Sequence, residues 1–530
     1  MDHRNRFRLE SLGIFLFALL LFTLGIWDQQ PQGFDGRWAL FLQEMFRHGA
    51  SLFPTTYGQP YADYPGTATF LSYVFARLFG APNHLANVLP TALASAGVVA
   101  LIYRLLVPSS RQWALLTVLL TLLTTQLLEK SRSVCLDQMV ALLCVGSFYL
   151  LHSGGRWRRL AVFPVFILGF AIRGPLGLIE VCGVVCVYWA LGKPGERVKQ
   201  VLLHGIVGLI LLAACWWLLV KLARISGGDA FADEVFKMQV GGRLDETGEP
   251  FYFYFQLSLY RYFPVVPLAL AAMIALRHRW SERYAGDMQT VARLGACGLM
   301  ILLGLSIPHF KRAYYILPMV PMFAAVAAYG LLQAQGWLAG VRRCYEGLVV
   351  ALPALCVVVV LVCRQGWQKH GDWPDVSLPL LIGVLLVLQM AALIAWRRAG
   401  RLVWLSLIAL IVQWLLLVTV VEPAKDLQFD TRTFVAQVEA LRATQPGPLV
   451  FIDLGRDTWA VRYMMNLDHD EQPVFVGSDQ LGRLSTLPRP AWVIVARKEA
   501  ALLRATPLES QVPDFEGRLN DNPLMVFLLR

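Results

Sequence analysis

Charge is scarce in this sequence. Asp, Glu, Lys and Arg make up 16% of the 530 residues, against about a quarter in a soluble globular domain. The hydrophobic residues, 57% of the chain, recur in runs of about twenty, each long enough to cross a bilayer core as a helix. An ordinary soluble protein of this length is excluded. The chain reads as an α-helical polytopic membrane protein.

Other absences narrow the function. There is no Gly-rich phosphate loop of the nucleotide-binding type, and no metal constellation with usable spacing, so nucleotide hydrolysis and zinc chemistry lack support. No cofactor is implied, and ligand spacing does not support a divalent metal. The nine cysteines are Cys135, Cys144, Cys182, Cys186, Cys215, Cys297, Cys344, Cys356 and Cys363. Nearly all fall in apolar runs and suggest neither a disulfide framework nor a metal site. The net charge of +11 sits in short clusters between apolar runs. No basic stripe with interleaved aromatics appears on a soluble segment, so nucleic acid is not a partner. No small-residue cleavage motif follows the run Leu12 to Trp27, which Arg4, Arg6 and Arg8 precede. It reads as an uncleaved first span with its N-terminus in the cytoplasm.

Further spans are expected near 84–106, 112–128, 135–152, 157–172, 174–192, 202–224, 262–276, 291–307, 313–334, 348–363, 377–396 and 402–421, about thirteen in all. The loops test the order. Arg104 and Arg111, then Arg156, Arg158 and Arg159, then Lys193, Arg197 and Lys199 fall on one side. Arg277, Arg279, Arg283 and Arg293, then Arg342 and Arg343, then Arg397, Arg398 and Arg401 fall on the same side. Every second loop is basic, as cytoplasmic loops are, and an odd number of spans places the C-terminus outside.

The opposite loops, 28–83, 129–134, 173, 225–261, 308–312 and 364–376, collect most interspan acids. Against the charge bias they also carry Arg37, Lys130, Arg132, Arg173, Lys311 and Arg312. Binding of an anionic headgroup is one explanation. After Val421 the composition becomes that of a soluble segment. FDTRTFVAQVEALRAT has the apolar spacing of an amphipathic helix. PLVFIDLG, QPVFVGS, PAWVIVARK and PLMVFLLR read as short strands bounded by Pro, Gly or Asp. Residues 422–530 are therefore expected to form a small α/β domain on the outside, with a capping or stabilising role as its simplest function. Residues 1–421 form the membrane domain, with 28–83 as its first outside loop.

Several charged positions admit two explanations. Asp35 either solvates its loop, caps a helix from Gly36 to Arg47, or serves as a general base. Asp137 opens the fourth span, where an ionised carboxylate costs up to about 3 kcal/mol. It needs a partner, for which Arg132 is available, or a wet cavity; helix capping is the alternative. Arg173 sits in the turn IRGP, and Glu180 lies two turns into the next span. Lys311, Arg312, Tyr314 and Tyr315 in PHFKRAYYILP form either an interfacial belt or a phosphate clamp.

Together these pieces resemble the membrane-embedded glycosyltransferases that use polyprenyl-phosphate sugars, the GT-C class. The pattern is most similar to the lipid A aminoarabinose transferase and its relatives in the protein O-mannosyltransferase superfamily. The likeness in layout covers nearly the whole chain. The family's first-loop motif DExRYA stands here as Phe34-Asp35-Gly36-Arg37-Trp38-Ala39, followed by Gln43-Glu44-Met45, Pro54, Gly58, Pro60-Tyr61 and Ala62-Asp63-Tyr64-Pro65. Leu136-Asp137 matches a Leu-Asp pair, and Arg173-Gly174 stands for Lys-Gly. Pro250-Phe251-Tyr252-Phe253-Tyr254 resembles PFxYY, and Lys311-Arg312-Ala313-Tyr314-Tyr315-Ile316-Leu317-Pro318 resembles KLPTYILP. Three departures stand out. Phe34 replaces the first acid of the acidic pair, Tyr64 replaces the Lys of FEKP, and Gln239-Val240 replaces a Glu-His pair.

The resemblance implies sugar transfer from undecaprenyl phosphate to an envelope acceptor at the bacterial inner membrane, by inversion and without a nucleotide. Lipid A, another glycan or a protein are the acceptors it allows, and the protein is expected to act as a monomer in the lipid bilayer. Asp35 and Asp137 would be the catalytic residues, Asp35 accepting the acceptor's proton or orienting its hydroxyl and Asp137 positioning the donor or the cations. Arg37, Arg132, Arg173, Lys311 and Arg312 would hold the phosphate with Tyr64 and Tyr315, and Glu44, Tyr61 and Asp63 would lie on the acceptor side. The glycine-bearing 225–250 loop, with Gly227, Gly228, Gly241 and Gly242, would close over the site. The rival classes are a transporter, which should show repeats and broken mid-membrane helices, and a non-catalytic scaffold.

Overall fold

The protein is described by a computed structural model covering residues 3–63, 65–241, 248–368, 374–504 and 506–530. The expected apolar runs fall largely on helix, but 112–128 is broken at Thr124, 157–172 at Ala161, and 313–334 becomes helical only from Leu317. Among the described residues six helices are long and apolar enough to cross a membrane, or seven if the bent pair Phe253–Tyr260 and Val265–Ala275 is one span. Others are shorter, among them Leu136–His152 and Pro175–Ala190.

The first eleven helices are α1 (His3–Thr23), α2 (Asp35–His48), α3 (Thr67–Phe79), α4 (His84–Leu106), α5 (Arg111–Leu123), α6 (Thr125–Lys130), α7 (Leu136–His152), α8 (Arg156–Leu160), α9 (Val162–Arg173), α10 (Pro175–Ala190) and α11 (Pro194–Phe236). Asn83 starts α4 by accepting from the Ala86 amide at 2.8 Å, and Ser110 does the same for α5. Both are side-chain caps of orphan amides. Inside the bundle, Thr117, Thr121, Ser95 and Ser306 return their hydroxyls to carbonyls four residues back, which satisfies them where water is excluded. Small residues set the closest crossings. A Cβ on Gly169 would lie 2.7 Å from the Gly177 carbonyl oxygen, and one on Gly177 would lie 2.2 Å from that of Gly169. That contact folds α9 tightly onto α10 about Gly174, whose φ is +67°, and it buries Arg173 at the corner.

The segment 225–250, expected as a loop, is helical at its start: α11 runs on to Phe236 past a break at Gly228, φ +78°. The glycines once grouped there therefore lie largely within helix; Gly242 falls outside the described residues.

The first loop holds a two-stranded ribbon of β1 (Thr55–Thr56) and β2 (Gln59–Pro60), and the C-terminal unit is a five-stranded sheet of β3 (Leu449–Ile452), β4 (Val474–Val476), β5 (Ala491–Ala496), β6 (Phe515–Leu519) and β7 (Asn522–Leu529). The order is β4-β3-β5-β7-β6. β3 pairs in parallel with β4 and β5, and β7 runs antiparallel to β5 and β6. All four expected strands are present; β6 is additional. Helix Arg432–Thr444 buries Phe434, Val435 and Val438, the face its spacing indicated.

Helix α2 joins this unit to the bundle. Leu40 belongs to the apolar core of the C-terminal sheet, while Trp38 and Phe41 pack with Leu136, Met139 and Ile172 of the bundle. Gln43 donates to the Met465 carbonyl at 2.6 Å and Arg47 to that of Leu467 at 2.7 Å.

Candidate active site

Two adjoining clefts open where α2, the α6–α7 turn and the α9–α10 corner meet. The first is lined by Asp35, Arg37, Lys130, Asp137, Arg173 and Tyr314, with Phe34 and Trp38 beside them, and is a narrow cavity of about 40 Å³. The second, about 270 Å³, shares Phe34, Arg37 and Tyr314 with it and adds Tyr61, Asp63, Phe310, Arg312, Tyr315 and Asp457.

Asp35 is the first residue of α2, so it does not cap a helix beginning at Gly36; Phe34 occupies the cap position. Its carboxylate instead accepts from the Val134 amide at 3.3 Å, across to the α6–α7 turn. Burial pushes its carboxyl up from 3.8 to about 6, partly offset by the Lys130 charge. An acid poised there can exchange a proton near neutral pH.

Asp137 is paired with Arg173, Nε to Oδ1 at 3.2 Å. Arg132, the partner its proximity in sequence suggested, lies elsewhere. The Arg173 guanidinium also stacks 4.7 Å above the Tyr315 ring, and Lys130 stands 5.4 Å above Tyr314. Glu180 is buried within α10, and among the described residues neither carboxylate oxygen makes a hydrogen bond.

Arg37 stacks over Phe34 and Tyr61, at 5.8 and 5.1 Å. It reaches the C-terminal unit by donating to the Asp457 carbonyl at 3.0 Å. Arg312 lies 5.1 Å from both the Phe34 and Phe310 rings. The 311–315 segment and Asp35 thus share one site, through Tyr314.

Three residues read as site candidates are placed in structural roles. Arg132 forks onto Glu422, at 2.6 and 2.7 Å, and donates to the Leu21 and Leu24 carbonyls at the end of α1. It caps that helix and ties it to the C-terminal segment. Lys311 is buried and donates to the Glu249 carbonyl at 2.8 Å; desolvation lowers its ammonium pKa. Glu44 accepts from the Tyr57 and Gly58 amides at 2.6 and 3.3 Å. It holds the turn between β1 (Thr55–Thr56) and β2 (Gln59–Pro60), where Tyr57 has the left-handed φ of +55°. Tyr64 lies outside the described residues.

Lys130, Phe34 and Asp457 line the clefts, though the sequence assigned none of them a site role. Lys130 had a signal, as a cation on the wrong side of the charge bias. Asp457 had none. The first cleft sets three cations, Arg37, Lys130 and Arg173, against two carboxylates, a balance suited to an anionic ligand. Among the described residues no three His, Cys, Asp or Glu side chains converge as a metal group.

Neither a protein-family model nor a curated protein sequence matches the chain. Solved structures do. ArnT from Cupriavidus metallidurans bound to undecaprenyl phosphate superposes with a TM-score of 0.72 at 16% identity, over 98% of this chain and 97% of that one. Its apo state gives 0.69 at 16% identity, with coverage of 98% and 97%. The apo oligosaccharyltransferase of Archaeoglobus fulgidus gives 0.50 at 9% identity, over 92% of this chain and 70% of that one. The chain has the fold of these membrane glycosyltransferases, the GT-C fold.

Proposed function

We propose that the protein transfers a sugar from a polyprenyl phosphate, undecaprenyl phosphate in a bacterial inner membrane, to an acceptor on the periplasmic side. In this reading about thirteen spans place the N-terminus in the cytoplasm and the 422–530 domain in the periplasm. The acceptor is lipid A, lipopolysaccharide or another envelope glycan, and the protein works as a monomer.

The observation that carries the reading is the convergence of Asp35, Asp137, Arg37, Lys130 and Arg173 on one cleft. Donor phosphate sits among the three cations, which offset the charge that grows on the leaving oxygen. Tyr315 orients Arg173 through its ring. Asp137 holds the same guanidinium at Nε, which makes it a positioning residue. The acceptor hydroxyl attacks the anomeric carbon from the face opposite the phosphate. Its proton passes to the Asp35 carboxylate, the C–O bond to phosphate breaks, and the bonding electrons leave with the phosphate oxygen, so the anomeric configuration inverts.

An apolar groove between α5, helix Trp337–Gln368 and helix Arg401–Leu416 suits the lipid tail. Leu123, Leu128, Leu352 and Val412 line it together with Glu129, the chain neighbour of Lys130. Purified protein supplied with radiolabelled undecaprenyl-phosphate sugars tests the function: acceptor-dependent release of undecaprenyl phosphate supports it, and no release with any donor sugar refutes it.

A further inference from the structure

The second cleft differs in chemistry from the first. Its cations, Arg37 and Arg312, are matched by two carboxylates, Asp63 and Asp457, so it has no preference for an anion. Both guanidinium groups already lie against rings, of Phe34, Tyr61 and Phe310. The cleft is left lined by five rings, Phe34, Tyr61, Phe310, Tyr314 and Tyr315, and by the two aspartates Asp63 and Asp457. A pyranose matches that set: its C–H face packs on aromatic rings and its hydroxyls donate to carboxylates. An extended peptide is less well matched, because none of the residues lining the cleft is in a strand that could pair with it.

The C-terminal unit supplies one wall. Asp457 lies in the loop that leaves β3, and β3 sits between β4 and β5 with the chain passing first to one side and then to the other. In open parallel sheets, loops at such a switch point are the ligand-binding ones. The loop is held in place from the membrane side. Arg37 donates to the Asp457 carbonyl at 3.0 Å, and the Tyr57 hydroxyl donates to the Arg456 carbonyl at 2.6 Å. Arg456 in turn lies over the Tyr57 and Phe475 rings. These contacts engage the backbone and Arg456 and direct the loop at the cleft, while the Asp457 side chain is on an exposed residue.

We infer that the second cleft is an acceptor subsite for a neutral sugar ring, built jointly by Asp63 of the first loop and Asp457 of the C-terminal domain. The inference rests on the transferase reading and deepens it: the acceptor is a glycan, and the C-terminal domain takes part in recognising it. Cleft sharing through Phe34, Arg37 and Tyr314 brings an acceptor hydroxyl beside Asp35.

The test uses the full-length protein in lipid nanodiscs with two probes, undecaprenyl phosphate and a neutral hexose oligosaccharide, the latter followed by saturation-transfer NMR. Wild type is expected to bind both. D457A and D63A should each weaken oligosaccharide binding by about tenfold or more, the size of one lost charge-assisted hydrogen bond, with undecaprenyl phosphate affinity held within about twofold. Asp457 is exposed, so its truncation does not threaten folding. Wild-type binding of undecaprenyl phosphate without the oligosaccharide overturns the subsite and leaves the donor reading standing. Variants that bind oligosaccharide like wild type also overturn it. Failure of both probes overturns subsite and transferase together.

Discussion

Arg173 and Asp137 form an ion pair, Nε to Oδ1 at 3.2 Å, between two side chains each 2% exposed. One residue ends α9 and the other begins α7, so the pair locks two helices together at the floor of the first cleft. A buried pair adds little net stability against an apolar alternative, but breaking it leaves an uncompensated charge at a cost of about 3–5 kcal/mol. Arg173→Met should therefore destabilise the detergent-solubilised protein by about that amount, and adding Asp137→Asn should recover part of the loss. Equal stability of single and double variants in chemical denaturation would show that the two residues are not coupled.

Asp35 has opposite effects on activity and stability. The carboxylate is the working form, so kcat/KM should climb as pH rises through about 6 and then level off. For stability, a carboxyl pKa raised from 3.8 to about 6 means that between those values the folded state holds a proton the unfolded chain releases. Stability falls as pH rises through that window, and above it the ionised group costs about 3 kcal/mol. Asp35→Asn should abolish transfer and at pH 8 melt no lower than wild type. Wild-type turnover in that variant removes Asp35 from the mechanism.

Lys130 and Lys311 separate binding from architecture. Lys130 lines the first cleft, while Lys311 is spent on the Glu249 carbonyl. Lys130→Gln should weaken undecaprenyl phosphate binding by about tenfold or more, as for loss of a charge-assisted contact. Lys311→Gln should leave that affinity within about threefold. The reverse order, measured by titration in nanodiscs, would transfer the donor site to the 311 corner.

Arg132 links distant parts of the chain, the end of α1 and Glu422. Arg132→Met should loosen the C-terminal domain, seen as faster limited proteolysis after Val421, with donor affinity unchanged. A loss of donor affinity at wild-type protease resistance would restore Arg132 to the phosphate site.

Much of this was legible in the sequence for identifiable reasons. Apolar runs announce helices because hydrocarbon demands them, and Phe434, Val435 and Val438 announce a helix face. Asp35, Asp137 and Arg173 stand out because charge beside hydrocarbon needs a cause. Side-chain direction was not legible. Arg132 and Lys311 carry the right charge in the right loop, yet one faces Glu422, 290 residues away, and the other a backbone carbonyl. Asp457 is invisible to any local pattern because the link to Arg37 spans 420 residues. Strand β6, FEGRL, does alternate, with its two charges on one face, but with only two apolar side chains around a glycine the run is too short to stand out from a loop.

The most direct measurement is a cryo-EM structure of the full chain with undecaprenyl phosphate. The phosphate is predicted among Lys130, Arg173 and Arg37, beside Asp35, with the isoprenoid chain leaving past Glu129 into the apolar groove. A phosphate bound elsewhere, with the Asp35 cleft empty, would contradict the assignment of that cleft as the donor site.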